Sequence, residues 1–572
     1  MSRRSTCVAW QNGGMPWTEY PRPQFARDSY LNLNGAWDYA IRPTASGFIG
    51  WQGKIVVPFS PESALSGVQR TLHPDETLYY RRTFTVPDDF LEDVTRLHFG
   101  AVDSECTVRV NGVTVGHHSG GYTPFFVDIS GPIRKGDNEL TVEVTDPTDT
   151  SWASRGKQSS RPGGIWYTAQ SGIWQTVWLE SLPAEFIESV LMVPDIDHDV
   201  LCVTPSCDCQ ARLLGHTFDL SGGKTNTLHI PDAIWWTPEN PHLYDIEFLR
   251  GRDVVRSYFG MRKFSLGNDA GHPRLMLNNR PYFQHGLLDQ GYWPDGLLTP
   301  PSDEAMLGDI RAAKRLGFNM LRKHIKIEPA RWYYHCDREG MLVWQDAVNG
   351  GTRYSPFIIA VAPFAGWNFH DKPTHHRLFG RADEEGKLAY YLELDAMIDF
   401  LINCVSICTW VPFNEGWGQF DANAAADHVR QRDPSRFVDH ASGWHDQGGG
   451  DVQSLHVYFR KAKMPRWDPR AVVLSEFGGY SRAVDGHVWR PGKVFGYKKF
   501  KTDESWQVGF EHLYREQIVP MVQQGLSAAV YTQLTDVEDE VNGLLTYDRQ
   551  VCKLPESLGL SVAAALGLRS NQ

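Results

Sequence analysis

At 572 residues the chain is too long for one ordinary domain, and two to four units are expected, one with room for a barrel-sized core. A formal net charge of −12 and the lack of any Lys/Arg tract exclude an extended phosphate-binding surface, so nucleic acid is not an expected partner. Nine cysteines without metal-ligand spacing or a disulfide framework, an opening MSRRSTCVAWQNGG with no apolar segment behind its arginines, and no run of about 18 apolar residues point to a soluble cytoplasmic protein away from the membrane.

Residues 31–180 are strand-like: LNGAWDYAI, LYYRRTFTV, TRLHFGAV, CTVRVNGVTVGHH, NELTVEVTD and IWQTVWLE are alternating or β-branched runs, split by turn signals such as Asn111-Gly112. They predict a jelly-roll β-sandwich over 1–181. A second β set, from ESVLMVPDI to VVRSYFG, is small enough for an immunoglobulin-like β-sandwich over 182–270. From 271 to 572 strand candidates alternate with helix candidates. The strands fall near 282 and at 319–324, 341–347, 405–411, 437–442, 454–459, 471–477 and 526–536, eight in all, which predicts a (β/α)8 TIM barrel. The best-marked helix is SDEAMLGDIRAAKRLG, with Ser302 as cap, acids in its first turn and Gly317 as stop. No Gly-rich phosphate loop follows an early strand, so no nucleotide cofactor is expected.

Aromatic residues make up 12% of the chain, 20 of them Trp, and many sit beside Gly, Asn, Asp or His; on an acidic chain such rings suit sugars better than bases. A barrel of this kind does its chemistry at the carboxyl ends of its strands. The polar groups placed there are Asp289 beyond strand one, Arg322 and His324 on strand two, Asp346 on strand three, Asn414 and Glu415 after strand four, Asp439 and His440 on strand five, His456 and Tyr458 on strand six, Glu476 on strand seven and Gln533 with Asp536 on strand eight. They contain no nucleophile-elbow serine and no metal-ligand cluster, so no metal is expected. Glu415 and Glu476 stand apart, because strands four and seven face each other across a closed barrel. Two carboxylates so placed suit glycoside hydrolysis, one as proton donor and the other as nucleophile, and mutual repulsion drives their pKa values apart. A retaining pair is expected about 5 to 5.5 Å apart.

The blocks LYYRRTFTV, VNGVTVG, SGIWQTVWLE, LRKH, NEGWG, SEFGG and YTQLTDVEDEVNGLLTYDR resemble, over nearly the whole chain, the glycoside hydrolase group of bacterial β-galactosidases, β-glucuronidases and β-mannosidases known as family 2. The resemblance implies the jelly roll, immunoglobulin-like and TIM-barrel order read above. It also implies that Glu415 is the general acid/base and Glu476 the nucleophile of a retaining, exo-acting enzyme that needs no cofactor. Asn414 resembles the residue that donates to the sugar 2-hydroxyl or to the nucleophile's free oxygen. By position and chemistry, Arg322 can hold ionised Glu476, while His324, His456 and Tyr458 can contact ring hydroxyls or support the nucleophile. Trp417 and Trp444 are candidates for stacking on the sugar or the aglycone.

The β-glucuronidases of the group carry an Asn-x-Lys motif before the Gly of the last barrel loop, and here the equivalent stretch reads Glu540-Val541-Asn542 with Glu538 and Asp539 ahead of it. A uronate carboxylate would be repelled there, so a neutral terminal sugar is expected, galactose first, with glucuronide, mannoside or a non-catalytic carbohydrate-binding role as the alternatives. A carbohydrate is the expected partner, and self-association is left open.

Overall fold

The structure, a computed structural model, describes residues 15–466 and 468–568. The amino-terminal stretch read for targeting lies outside them. The first unit is built from two antiparallel sheets. One has six strands, in the order 53–57, 35–43, 76–86, 136–145, 105–110, 113–119; the other has four, in the order 31–32, 177–182, 94–99, 125–128. Alternation sets the packing: along Gly136–Thr145, Leu140, Val142 and Val144 are buried against Leu97, Phe99 and Leu179 of the facing sheet, while the residues between them are half-buried. The second unit packs a three-stranded sheet (190–195, 200–205, 226–229) on a four-stranded one (216–220, 209–213, 244–250, 253–259). Its strand Cys209–Leu213 was not anticipated. The inward residues there, Cys209, Ala211 and Leu213, are too small a signal to read, and the turn after it uses left-handed Leu214 and Gly215.

The hairpin Phe264–Asp269 with His272–Leu277 straddles the 270/271 division read from sequence. Leu275 and Leu277 enter the same core cluster as the barrel interior, so this hairpin plugs the barrel's floor.

The barrel strands are β1 (Gln284–Asp289), β2 (Met320–Lys323), β3 (Leu342–Asp346), β4 (Ile407–Val411), β5 (Phe437–Val438), β6 (Val452–Val457), β7 (Ala471–Gly478) and β8 (Leu526–Thr532). All are parallel, in the spatial order β5-β4-β3-β2-β1-β8-β7-β6. The eight-stranded expectation therefore holds, with β5 reduced to two residues and no helix among the described residues between β5 and β6 or between β6 and β7. Strand residues alternate between two cores. Met320, Leu342, Trp344, Val473, Ala528 and Val530 fill the inside, whereas Leu321, Val343, Leu474, Ala529 and Tyr531 meet the helix layer. The predicted first helix forms over Asp303–Arg315, with the Ser302 hydroxyl accepting from the Ala305 amide. No helix among the described residues is long and apolar enough to cross a membrane.

At β5/β6 the barrel is joined through Asp451, by its backbone and its side chain. The Asp451 amide donates to the Val438 carbonyl at 2.8 Å, and the Val438 amide donates to Asp451 Oδ2 at 2.7 Å, while Arg430 holds Oδ1 at 2.9 Å. Asp451→Ala strips a partner from the Val438 amide, and urea melts are expected to show a loss of about 1–3 kcal/mol.

A long excursion of the first unit, residues 146–176, crosses to the barrel mouth. The Arg155 and Gly156 amides donate to the Asn349 carbonyl, the Trp152 carbonyl accepts from Gly351, and the Thr168 amide donates to Glu538 Oε1. It forms one wall of the site.

Candidate active site

Beyond β4 the chain turns sharply at Asn414-Glu415-Gly416. Glu415 has φ 51°, a left-handed conformation that costs a residue with a Cβ roughly 1–2 kcal/mol. The turn is held by the Glu415 amide, which donates to the Ser442 carbonyl at 3.0 Å. Gly416 also has positive φ, and a Cβ there would meet the His445 ring at 2.8 Å. The glycines of NEGWG are thus required by close approach, and the strain carries Glu415 into the mouth.

Arg322, on β2 and fully buried, is the hub. Its Nε and Nη2 hold Asp346 at 3.0 Å each, Nη2 also donates to Asn414 Oδ1 at 2.8 Å, and Nη1 donates to Glu476 Oε1 at 3.2 Å and to the Ser475 carbonyl at 3.1 Å. Burial works against the guanidinium charge, but Asp346 and Glu476 more than restore it. A guanidinium only donates, so its bond to Asn414 fixes the amide orientation and turns Nδ2 the other way. That Nδ2 is buried and finds no partner among the described residues, which is what a donor awaiting a sugar hydroxyl would look like. His324 shares Asp346 through Nδ1 at 3.0 Å, and burial pushes its pKa well down, so it is neutral.

Glu476 is held on both oxygens, by Arg322 and by the Tyr458 hydroxyl, which donates to Oε2. Tyr458 stacks on Tyr497 at 3.9 Å, and Gly479 passes beneath: a Cβ on it would lie 2.3 Å from the Tyr497 ring. The second glycine of SEFGG makes room for this pair, and the first for the Tyr531 ring, which a Cβ on Gly478 would meet at 2.4 Å.

Across the mouth, His456 Nδ1 lies 2.8 Å from Glu415 Oε1. One oxygen of Glu415, one nitrogen of His456 and one oxygen of Glu476 lie within 4.8 Å of one another. A divalent cation could span that distance, but the Arg322 guanidinium already supplies the compensating charge. Burial raises the Glu415 carboxyl to about 7, with Lys157 and Arg322 pulling it down and Glu540 pushing it up.

Lys157 escaped the sequence reading. It arrives on the excursion of the first unit, in a Ser- and Gly-rich stretch with no periodicity, and is only 7% exposed. Its ammonium lies 5.2 Å from the Tyr167 ring centre and 5.9 Å from that of Trp417, without an ion-pair partner among the described residues. Tyr167 was missed as well; its hydroxyl donates to Glu540.

Of the remaining predicted residues, Trp417 is buried against Trp166, 5.1 Å between ring centres, and lines the mouth as a wall. Trp444 is half-buried and meets His456 edge-on. Beyond it Phe364 and Phe459 are 55% and 65% exposed, an apolar rim outside the glutamates. Gln533 accepts from Gln290 and donates to Asn542 at 2.8 Å each, so it braces the Glu540 loop. Asp289 is not brought to the glutamates. It is paired with Lys323 at 2.6 Å, and Lys323, next to inward Arg322, points to the opposite face of β2.

The sandwiches and barrel, with a carboxylate pair at the barrel mouth, define a multidomain TIM-barrel architecture. The profile of the glycosyl hydrolases family 2 sugar binding domain matches residues 67–183, and that of the family 2 TIM barrel domain residues 275–546. The chain belongs to glycosyl hydrolase family 2. A β-galactosidase of Photobacterium profundum is 25% identical over 445 residues, 70% of this chain and 40% of the relative. A GH2 β-galacturonidase from Eisenbergiella tayi bound to galacturonate matches with a TM-score of 0.68 at 19% identity, covering 97% of this chain and 100% of that one. A Ruminococcus gnavus β-glucuronidase matches with a TM-score of 0.74 at 17% identity, covering 96% and 99%. The chain spans 40–48% of the length of the first curated β-galactosidases it matches.

Proposed function

We propose that the protein is a retaining, exo-acting β-glycoside hydrolase in which Glu415 is the general acid/base and Glu476 the nucleophile. The observation that carries the reading is the facing of these two carboxylates, one buried and raised to about 7, the other held on both oxygens by Arg322 and Tyr458. Glu415 protonates the glycosidic oxygen while Glu476 attacks the anomeric carbon, and water then releases the sugar with Glu415 as base. Asn414 Nδ2 is positioned for the 2-hydroxyl, and the Trp444, Phe364 and Phe459 rim for an aglycone. The units 1–181, 182–270 and 271–572 would act as sugar-binding-type jelly roll, immunoglobulin-like spacer and catalytic barrel. A reducing, cytoplasmic setting fits the eight free cysteines among the described residues, and self-association is compatible with the fold.

The glycon we favour is neutral, with β-D-galactoside first, the sugar named for several curated relatives. Two cations, Arg322 and Lys157, face Asp346, Glu415, Glu476 and Glu540, so the pocket is already rich in carboxylates that suit hydroxyl groups. One observation favours a second reading: among the described residues Lys157 has no carboxylate ion-pair partner, and a uronide would supply one. Proton NMR of early product tests the stereochemistry, and β-configured sugar is the expected first anomer. Because the acid form of Glu415 is lost above its pKa, kcat/KM should fall on the alkaline side of about 7. An α-configured first product would overturn the reading.

A further inference from the structure

Resting on the hydrolase reading, we propose that His456 is a positioning residue that ties the acid/base Glu415 to the nucleophile Glu476 through Arg322, so that ester formation at Glu476 turns Glu415 from acid into base. The geometry dictates the tautomer. Arg322 Nη1 lies 3.4 Å from His456 Nε2 and can only donate, so Nε2 accepts and Nδ1 carries the proton. That Nδ1–H donates to Glu415 Oε1 at 2.8 Å. A carboxylic acid whose Oε1 accepts this bond carries its own proton on Oε2, so His456 selects the oxygen that serves as acid.

The ring is locked in place. Gly443, at φ 81°, lies flat on it, and a Cβ there would sit 2.3 Å from the imidazole; Trp444 meets the ring from its edge. Ser442 Oγ is 3.3 Å from Nε2. The charged and titratable groups facing His456 are Glu415 beyond β4, Glu476 on β7, Arg322 on β2 with the neutral His324 just after it, Asp346 on β3 and Asp439 beyond β5. Burial takes His456 down to about 4, so it stays neutral through the cycle and acts by hydrogen bonding.

The link follows from where Arg322 Nη1 points. In the free enzyme it divides its hydrogens among Glu476 Oε1, the Ser475 carbonyl and His456 Nε2. In the first half-reaction Glu415 gives its proton to the glycosidic oxygen as the bond from C1 to that oxygen breaks. An oxygen of Glu476 bonds C1, the aglycone leaves as an alcohol, and the nucleophile becomes an uncharged ester. The guanidinium then loses a charged partner and leans on His456, which strengthens the Nδ1–H bond to the carboxylate that Glu415 has become. In the second half-reaction water attacks C1, its proton goes to Glu415, and the ester electron pair returns to Glu476.

The test compares His456→Phe, His456→Asn and His456→Gln on a 2,4-dinitrophenyl β-glycoside, whose leaving group needs no proton. The Asn amide reaches the place of Nδ1, whereas the Gln amide reaches that of Nε2. For His456→Phe, kcat/KM on this substrate should stay within about threefold of wild type, while kcat falls about 30-fold and KM falls with it as the ester accumulates. On an unactivated glycoside the alkaline limb of kcat/KM should move up by about one pH unit. His456→Asn should restore both, and His456→Gln neither. Parallel loss of kcat and kcat/KM with an unmoved limb, or an Asn variant no better than Phe, overturns the proposal. Wild-type turnover of the same substrate is the control: if it is absent the hydrolase reading fails, and if it is present with an unaltered Phe variant only the role of His456 fails.

Discussion

Glu476→Gly reduces turnover to background on every β-glycoside, and added azide restores cleavage with release of the α-glycosyl azide. The expectation follows from what the substitution removes. In the proposed mechanism Glu476 supplies the atom that bonds C1, and Arg322 and Tyr458 hold its two oxygens at fixed places, so no other group is placed to substitute for it. A small anion can enter the gap, attack from the same face and leave an inverted product that the enzyme cannot process further. Glu415→Ala behaves differently. Loss of general-acid help costs about 10²–10⁴-fold on substrates with poor leaving groups and little on a 2,4-dinitrophenyl glycoside. With that activated substrate, azide should speed release of the ester and give the β-glycosyl azide. Interchanged azide products would reverse the two roles, and azide rescue of neither variant would remove both residues from the reaction.

The placement of Glu415 and Glu476 together at the barrel mouth was legible in the sequence for a physical reason. A parallel barrel needs apolar strands, and a strand that ends in Asn-Glu or Ser-Glu beside glycines gives up packing for chemistry. The same logic misled at Asp289, also a polar group at a strand end. The distinction lies in strand parity: Arg322 shares a face with Leu288 and the interior, while Lys323, one residue on, points outward and takes Asp289 with it. Parity could have been counted from Arg322, but only with the register of β1 against β2 known. Lys157 and Tyr167 were beyond reach for another reason. They belong to the first sandwich, on an excursion whose composition says only loop, and their arrival beside Trp417 and Glu540 depends on how two units dock. The role of His456 sits between these cases: its place on β6 was readable, but its contacts with Glu415, Ser442 and Arg322 come from three other parts of the barrel.

On a panel of 4-nitrophenyl β-glycosides that differ only in the sugar, the galactoside is expected to carry the highest kcat/KM, exceeding the galacturonide by on the order of 100-fold, about 2.7 kcal/mol in transition-state binding. A uronate must shed its water to enter, and unless a free cation receives it the cost is several kcal/mol. Asp539 does not count toward repulsion, because Arg490 and Lys493 hold it at 2.9 and 3.3 Å. Glu540 does, since its partners are the neutral Tyr167, Gln533 and Asn542, and it is close enough to push the Glu415 carboxyl up. Against this stands Lys157, whose charge also lowers Glu415 and is thereby partly engaged. Lys157→Met separates the two readings. With a neutral glycon the ranking of sugars survives the substitution, and the alkaline limb of kcat/KM moves up as Glu415 loses a neighbouring cation. With an acidic glycon the wild-type enzyme prefers the galacturonide or glucuronide, and Lys157→Met removes that preference while the galactoside rate is the smaller loser. Preference for the uronide that disappears with Lys157 would overturn the neutral assignment and make this residue, delivered by the first sandwich, the determinant of which sugar the barrel accepts.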